Sequence, residues 1–369
     1  MADEQDLQIN PTRLTFARKR RGYKKSQLAE LARVDLRSIS SYESGETEPR
    51  RDIFIRLQAI LKFPEEFFYG PTIEEPCEDS ASFRALTKMS ASQRDMALTQ
   101  GAVALLFSEF LEGHFELPEA TLPDLQRCAP SVAADAVRRV WGIGELSIRN
   151  VIHLLEAKGV RIFSLAVEAR EVDAFSMWKS GKPFIFLNNQ KSTEHSRFDA
   201  AHELGHLILH KHGAPHGRDA ESQANSFASA FLMPEGSVLA HPPSRRPTLF
   251  ELRSLKKIWG VSLSALAYRL HELNLLTDWQ YRNLFMQMAK NGFLTNEPDS
   301  CHRESSLILP QLLQSLHQDK GLSRSRIAAE LKISISEIEA LLFGLVMTGV
   351  NGGRLGSPTG PAPMLTRSK

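Results

Sequence analysis

The chain has 369 residues, 42% hydrophobic and 24% charged, with 22 Gly and 19 Pro, a composition that excludes a collagen, a coiled coil or a wholly disordered polymer. At roughly 150 residues per domain there is room for two or three domains. Forty-five Lys and Arg against 43 Asp and Glu leave a formal net charge of +2, so any affinity for a polyanion must come from local clustering rather than from the total.

No apolar run approaches the roughly 18 residues that span a bilayer, and the opening MADEQDLQIN has no basic segment leading into an apolar one. A cytoplasmic protein with no membrane partner is therefore expected. Cys77, Cys128 and Cys301 are odd in number and far apart, which fits neither a disulfide framework nor a thiolate metal site. They read as reduced thiols.

Residues 11–70 read as several short helices, with Leu14, Ala17, Leu28, Ala29, Leu31, Ile39, Ile53, Leu57 and Ile60 at helical spacings. Seven Lys or Arg and no acid lie between Arg13 and Lys25, giving a basic front edge. Within SQLAELARVDLRSISSYESG, Ala29, Val34 and Ile39 are spaced five apart. That spacing suits two short helices crossing steeply, with a small residue at the close approach. Asp35 is placed to cap the second of them. Leu36 and Ile39 then face inward, leaving Arg37, Ser38, Ser40 and Ser41 outward, where Arg and Ser can reach base edges in the major groove. Lys25, at the start of the first helix of the pair, suits a phosphate contact.

Over residues 13–68, LAELARVDLRSISSYESGETEP resembles the helix-turn-helix domain of Xre-type repressors, the Cro and lambda-repressor-like group. Lys25 replaces a usual Gln and Arg33 a frequent turn Gly. The resemblance implies operator DNA as partner and binding as a homodimer on two half-sites.

Residues 71–82 form an acidic linker, with Glu74, Glu75, Glu78 and Asp79 beside Pro71 and Pro76. Residues 83–298 read as an α+β domain. Helical periodicity runs from about Phe83 to Leu111, then over Ser131–Trp141 and Ile148–Lys158. VRIFSL, AFSMW and FIFLN follow as a small antiparallel sheet, the last two joined by a turn from Lys179 to Pro183. Helices resume over Glu194–His210, Ala220–Met233 and Leu249–Leu273.

The segment RFDAAHELGHLILH contains His202, Glu203 and His206 as HExxH. On a helix the two imidazoles, four residues apart, converge on one ion while Glu203 can address a water beside it, the arrangement for metal-assisted hydrolysis. A catalytic zinc needs a third protein ligand. His212 has the spacing of a third His, but Leu209 stands where that arrangement needs Gly. Glu221 opens ESQANSFASAFLMP and shares its inner face with Ala224, Asn225 and Ala228. Glu221 is preferred. His195, His210, His212 and His216 are read as surface or core histidines, and FIFLN as a sheet edge able to hold an extended peptide.

These two segments, with SFRALTKMSASQRD, WGIGELSIRNVIHLLEAKGVRIF and LKKIWGVSLSALAYRL around them, resemble the ImmA/IrrE family of zinc metallopeptidase domains fused to an Xre-type reader. By that resemblance His202, His206 and Glu221 bind Zn2+ and Glu203 is the general base. The implied fold is multidomain: an all-α helix-turn-helix domain plus an α+β zincin-like metallopeptidase domain with a helical C-terminal extension. The expected function is a transcriptional regulator acting by proteolysis or by sensing. The alternative is an antitoxin-like, protein-binding regulator with a non-catalytic zinc domain. A partner repressor or a toxin is the corresponding protein partner.

Residues 299–350 form a helical C-terminal module in which Ala328, Ile333 and Ile338 repeat the five-and-five spacing. Ser336, Glu337 and Glu339 are expected on its outer side, where acids would repel phosphate, so it reads as a packing or protein-contact module. Residues 351–369, NGGRLGSPTGPAPMLTRSK, are expected to be a disordered tail.

Overall fold

The computed structural model describes residues 8–76, 90–165, 174–211 and 217–346, together with the backbone of 81–83 and 366–367. Cys77, Glu78, Asp79, His212, His216 and nearly all of the expected tail lie outside the described residues.

The reader consists of α1 (Pro11–Arg20), α2 (Lys25–Ala32), α3 (Leu36–Ser44) and α4 (Arg51–Leu61), closed by a 3-10 turn at Glu65–Phe67. Asn10 caps α1 by accepting from the Thr12 N–H, with Pro11 in the first helical position. Leu28, Ile39, Phe54 and Leu57 form its core, and Ala29 lies buried at the α2–α3 crossing. Arg33 turns the chain between those helices in the left-handed region, at φ 56° and ψ 49°, a conformation that costs a β-carbon residue about 1–2 kcal/mol. Two local expectations are corrected. Asp35 stands at the N-cap of α3, but its carboxylate makes no capping hydrogen bond, and Leu36 is 50% exposed instead of facing inward.

The basic front edge is also largely internal. Arg13, Arg18 and Arg20 are buried. Arg18 Nε donates to Glu43 at 2.5 Å, Lys19 pairs with Glu75 at 2.9 Å, and Arg20 and Arg21 both pair with Glu337 at 2.7 and 2.8 Å. Most of this charge holds the molecule together.

Next come β1 (Ala81–Phe83), α5 (Ala91–Glu112), β2 (Phe115–Glu116), α6 (Pro130–Val140) and α7 (Val151–Ala157). Helix α5 starts eight residues later than its periodicity suggests, behind a capping box in which Ser90 accepts from the Gln93 N–H and Gln93 reaches back to Ser90. Strands β3 (Arg161–Ser164), β4 (Ala174–Lys179) and β5 (Lys182–Leu187) join β1 in a four-stranded sheet ordered β1-β4-β5-β3. The β4–β5 hairpin turns on Ser180 and Gly181, both at positive φ, as a two-residue primed turn requires. The sheet is mixed and not antiparallel throughout, because β3 runs parallel to β5. FIFLN therefore lies on a central strand and offers no edge.

Alternation gives the sheet two covered faces. Phe163 packs against Phe107 of α5, and Phe175 and Phe186 stack at 4.3 Å on that same side. Ser176 and Trp178 point the other way, where they bond to α8 (Thr193–Leu209). Helices α9 (Arg218–Leu232), α10 (Glu235–Leu239), α11 (Leu249–Trp259), α12 (Leu263–Glu272) and α13 (Asp278–Lys290) complete this body. Gly260 separates α11 from α12 where one helix was expected.

The C-terminal module contains α14 (Ile308–Lys320), α15 (Arg324–Glu330) and α16 (Ile335–Leu342), and a two-residue strand, β6 (Thr366–Arg367), pairs with β2. Helix α16 packs on β3 and α5. Its Glu337, expected outward, is buried against Arg20 and Arg21 of the reader. Next to them in the chain, Gly22 accepts at its carbonyl from the Ser92 hydroxyl of α5 at 2.6 Å. The reader is thus docked on the body through both α5 and α16.

Candidate metal centre

The site forms where α8 crosses α9. Ser192 caps α8 by accepting from the His195 N–H, and the helical repeat then stacks His202 and His206 on one face. Small residues allow the crossing to be close. A β-carbon at Gly205 would stand 3.1 Å from the Phe227 ring and 3.3 Å from the Ala224 Cα, and Ala224 and Ala228 are themselves fully buried. A side chain at Gly205 would require the Phe227 ring and the α9 backbone to give by a few tenths of an ångström. This proximity brings Glu221, in the first turn of α9, onto the His pair.

The three ligand atoms form a compact triangle. The two Nε2 atoms are 3.1 Å apart, and the Glu221 carboxylate oxygens lie 3.4 Å from His202 Nε2 and 3.3 Å from His206 Nε2. A tetrahedral ion with ligand bonds near 2.0–2.1 Å has ligand–ligand edges of about 3.3 Å. Among the described residues, His202, His206 and Glu221 are the one group of His, Cys, Asp or Glu that meets as a metal-holding cluster. His212 lies outside the described residues.

Electrostatics favour a cation here. Burial pushes the His206 imidazole down to about 4, so it is neutral and keeps a lone pair at neutral pH. Burial alone would raise Glu221, but hydrogen bonds from the two imidazoles and their charge, both present once the rings are protonated in acid, outweigh it and hold the carboxylate at about 2.

A second ring of residues fixes the rings' orientation. His202 Nδ1 lies 3.0 Å from Asn225 Oδ1, His206 Nδ1 lies 2.9 Å from His210 Nδ1, and His210 Nε2 lies 3.0 Å from Gln223 Oε1. One assignment of protons satisfies all three: each ligand imidazole donates from Nδ1, and His210 accepts from His206 at its own Nδ1 and donates from Nε2 to Gln223 Oε1. Both Nε2 atoms then face the cluster as acceptors. His210, read from the sequence as a surface or core histidine, is thus an orienting partner. Its position four residues after His206 was the available signal, as was Asn225 four residues after Glu221.

Glu203 is fully buried and points to the sheet, where the Ser176 hydroxyl donates to its Oε2 at 2.7 Å. Sequence reasoning missed Ser176, because nothing local ties a strand serine to a helix glutamate.

In the reader, Arg37 is exposed on α3 and Ser38, Ser40 and Ser41 are half-buried on the same helix. The Ser41 hydroxyl donates to Glu46 at 3.0 Å. Lys25, at the start of α2, stands 3.4 Å from Glu43, a carboxylate it shares with Arg18. Lys24, Arg33 and Arg50 are further exposed cations flanking α3.

Fold and site together define a DNA-binding type of helical domain joined to a metallopeptidase-like one. A family model described as a helix-turn-helix matches residues 16–68, and one described as an IrrE N-terminal-like domain, a peptidase family, matches residues 155–271. The chain is therefore a fusion of an Xre-type helix-turn-helix with an ImmA/IrrE-type domain. No curated protein matches it at a significant level. Among the described residues no helix is long and apolar enough to cross a membrane.

Proposed function

We propose that the chain is a cytoplasmic, sequence-specific transcriptional regulator of bacterial or phage type, whose metal domain is a zinc-dependent endopeptidase acting on a protein partner such as a repressor or toxin. The observation that carries this reading is the convergence of His202, His206 and Glu221 beside an oriented Glu203, in a chain that also carries a DNA-reading helix pair. Zinc, when bound, supplies Lewis acidity to a peptide carbonyl and to a water. His202, His206 and Glu221 hold it, with Asn225 and His210 keeping the rings in register. Glu203, steadied by Ser176, takes a proton from the attacking water at its carboxylate and returns it to the leaving amine. In the reader, Arg37 addresses base edges, with Ser38, Ser40 and Ser41 beside it, and Lys25 addresses phosphate as the chain binds operator DNA as a homodimer.

The burial of both imidazoles and of Glu203 favours a second reading, in which the domain senses without cutting. One set of measurements separates them. The purified chain should carry about one zinc, lost on replacing His202 and His206 with Ala, and its operator footprint should change with a chelator. Glu203→Gln should keep the metal; if it leaves the regulatory output intact, catalysis is not the mechanism. Wild-type chain that takes up no zinc would sink both readings.

A further inference from the structure

Strand β4 is tied to the helix that carries the candidate centre, since its Ser176 bonds to Glu203, next to His202. One side of β4 is paired with β5. Its other side is where an extended peptide would add to the sheet and lie one strand spacing, about 4.8 Å, from Ser176. That side is taken. Ala81, Ser82 and Phe83 run antiparallel along Met177, Ser176 and Phe175, and these three residues belong to the segment joining the reader to the metal domain.

The approach to β1 is tied at two points. Glu74 pairs with Lys179 at the end of β4 at 2.7 Å, and Glu75 pairs with Lys19 on α1 of the reader at 2.9 Å. Pro76 follows and lies against α5, where a β-carbon on Gly101 would meet its ring at 3.3 Å. The acidic stretch therefore bridges the DNA reader and the peptide-facing edge of the sheet. The charges of Glu74 and Glu75 are engaged in these contacts.

We propose that the joining segment is the peptide site's own occupant: residues 81–83 hold the β4 edge in the place of an extended substrate and must leave before a peptide in trans can bind. This rests on reading the metal domain as a peptidase. It also makes the reader's seating on the body a control on access, because Lys19 of the reader and Lys179 of β4 hold the adjacent Glu75 and Glu74 in the stretch that precedes β1. A tethered strand competes at an effective concentration on the order of millimolar. Micromolar substrate is then excluded unless the tether is released.

The test uses the full chain carrying Glu203→Gln, so that no probe is consumed, and a fluorescein-labelled peptide of residues 79–87, DSASFRALT. In an antiparallel pair, alternate residues of β1 turn their N–H groups to β4. Either Ser82→Pro or the double variant Ala81→Pro/Phe83→Pro removes those donors, and the other variant places Pro on the solvent side, where an edge strand tolerates it. One of the two should bind the peptide at least about ten-fold more tightly than the parent. In the same variant, the β4 amides facing β1 should exchange at least about ten-fold faster, with those facing β5 unchanged. In the unsubstituted chain, the β1-facing amides should already open more readily than the β5-facing ones. Equal peptide binding by all three chains, or β1-facing amides as protected as the sheet centre in every one, would overturn the inference. Zinc content on the same samples keeps the two ideas apart: its absence from the wild type defeats the peptidase reading, whereas unchanged exchange with zinc present defeats this inference alone.

Discussion

Replacing His210 with Ala gives the sharpest test of the centre, because it touches no proposed ligand atom. It removes the acceptor 2.9 Å from His206 Nδ1 and breaks the link onward to Gln223 at 3.0 Å. The His206 ring, almost wholly buried, is then free to turn, and its Nδ1–H loses its only oriented partner in that chain of bonds. Partners of this kind typically contribute 10- to 100-fold to metal affinity, or about 1.4–2.8 kcal/mol. Competition titration against a chromophoric chelator should show zinc binding weakened by that factor. Asn225→Ala should act similarly through His202, and His195→Ala, an exposed residue on the same helix, should have no effect. A change under about three-fold for His210→Ala would refute the account of how the site is held.

Three further outcomes follow from particular contacts. Ser176→Ala removes the donor at 2.7 Å to Glu203; it should leave zinc content unchanged and lower kcat for whatever peptide is cut, and an unaltered rate would show that Glu203 needs no such support. Arg37→Ala should weaken operator binding by about 1–3 kcal/mol and relax base preference, while Lys25→Ala should weaken all sequences alike; band-shift titrations on operator and scrambled duplexes separate the two. Glu337→Ala leaves Arg20, 2% exposed, without its carboxylate, at a cost of about 3–5 kcal/mol. Calorimetry should show a lowered melting transition and limited proteolysis a loosened reader, and a loss below about 1 kcal/mol would contradict the burial.

What was legible in the sequence was what helical periodicity encodes. His202 and His206 share a face because they are four apart, and Glu221 with Ala224 and Ala228 marks the inner face of the helix that must meet them. The steep α2–α3 pair is written in Ala29, Val34 and Ile39 for the same reason. Contacts without a local period were not legible. The parallel pairing of β3 with β5 depends on how the chain crosses back, and β1 is three residues straddling the end of the acidic linker, too short for any alternation to register. Arg20 and Glu337 are 317 residues apart, so Glu337 read as a solvent-facing acid on a helix whose neighbour was unknown. His210 and Ser176 needed the tertiary crossing before their partners appeared.

The buried arginines alter what electrostatics predicts for DNA binding. Seven cations between Arg13 and Lys25, added to Arg33, Arg37 and Arg50, would neutralise about ten phosphates per protomer and give a steep salt dependence, near −9 in log K against log salt at about 0.9 per phosphate. The structure withdraws five of them: Arg13 Nε donates to the Pro71 carbonyl at 2.6 Å, Arg18 bonds Glu43, Lys19 bonds Glu75, and Arg20 and Arg21 bond Glu337. Lys24, Lys25, Arg33, Arg37 and Arg50 remain, so the slope should be about −4 to −5 per bound protomer. Anisotropy titrations of an operator duplex across a range of KCl read it directly. A slope near −9 per protomer would mean that binding releases all five of these cations, Arg20 and Arg21 from Glu337 included, and that the reader leaves the body when it engages DNA.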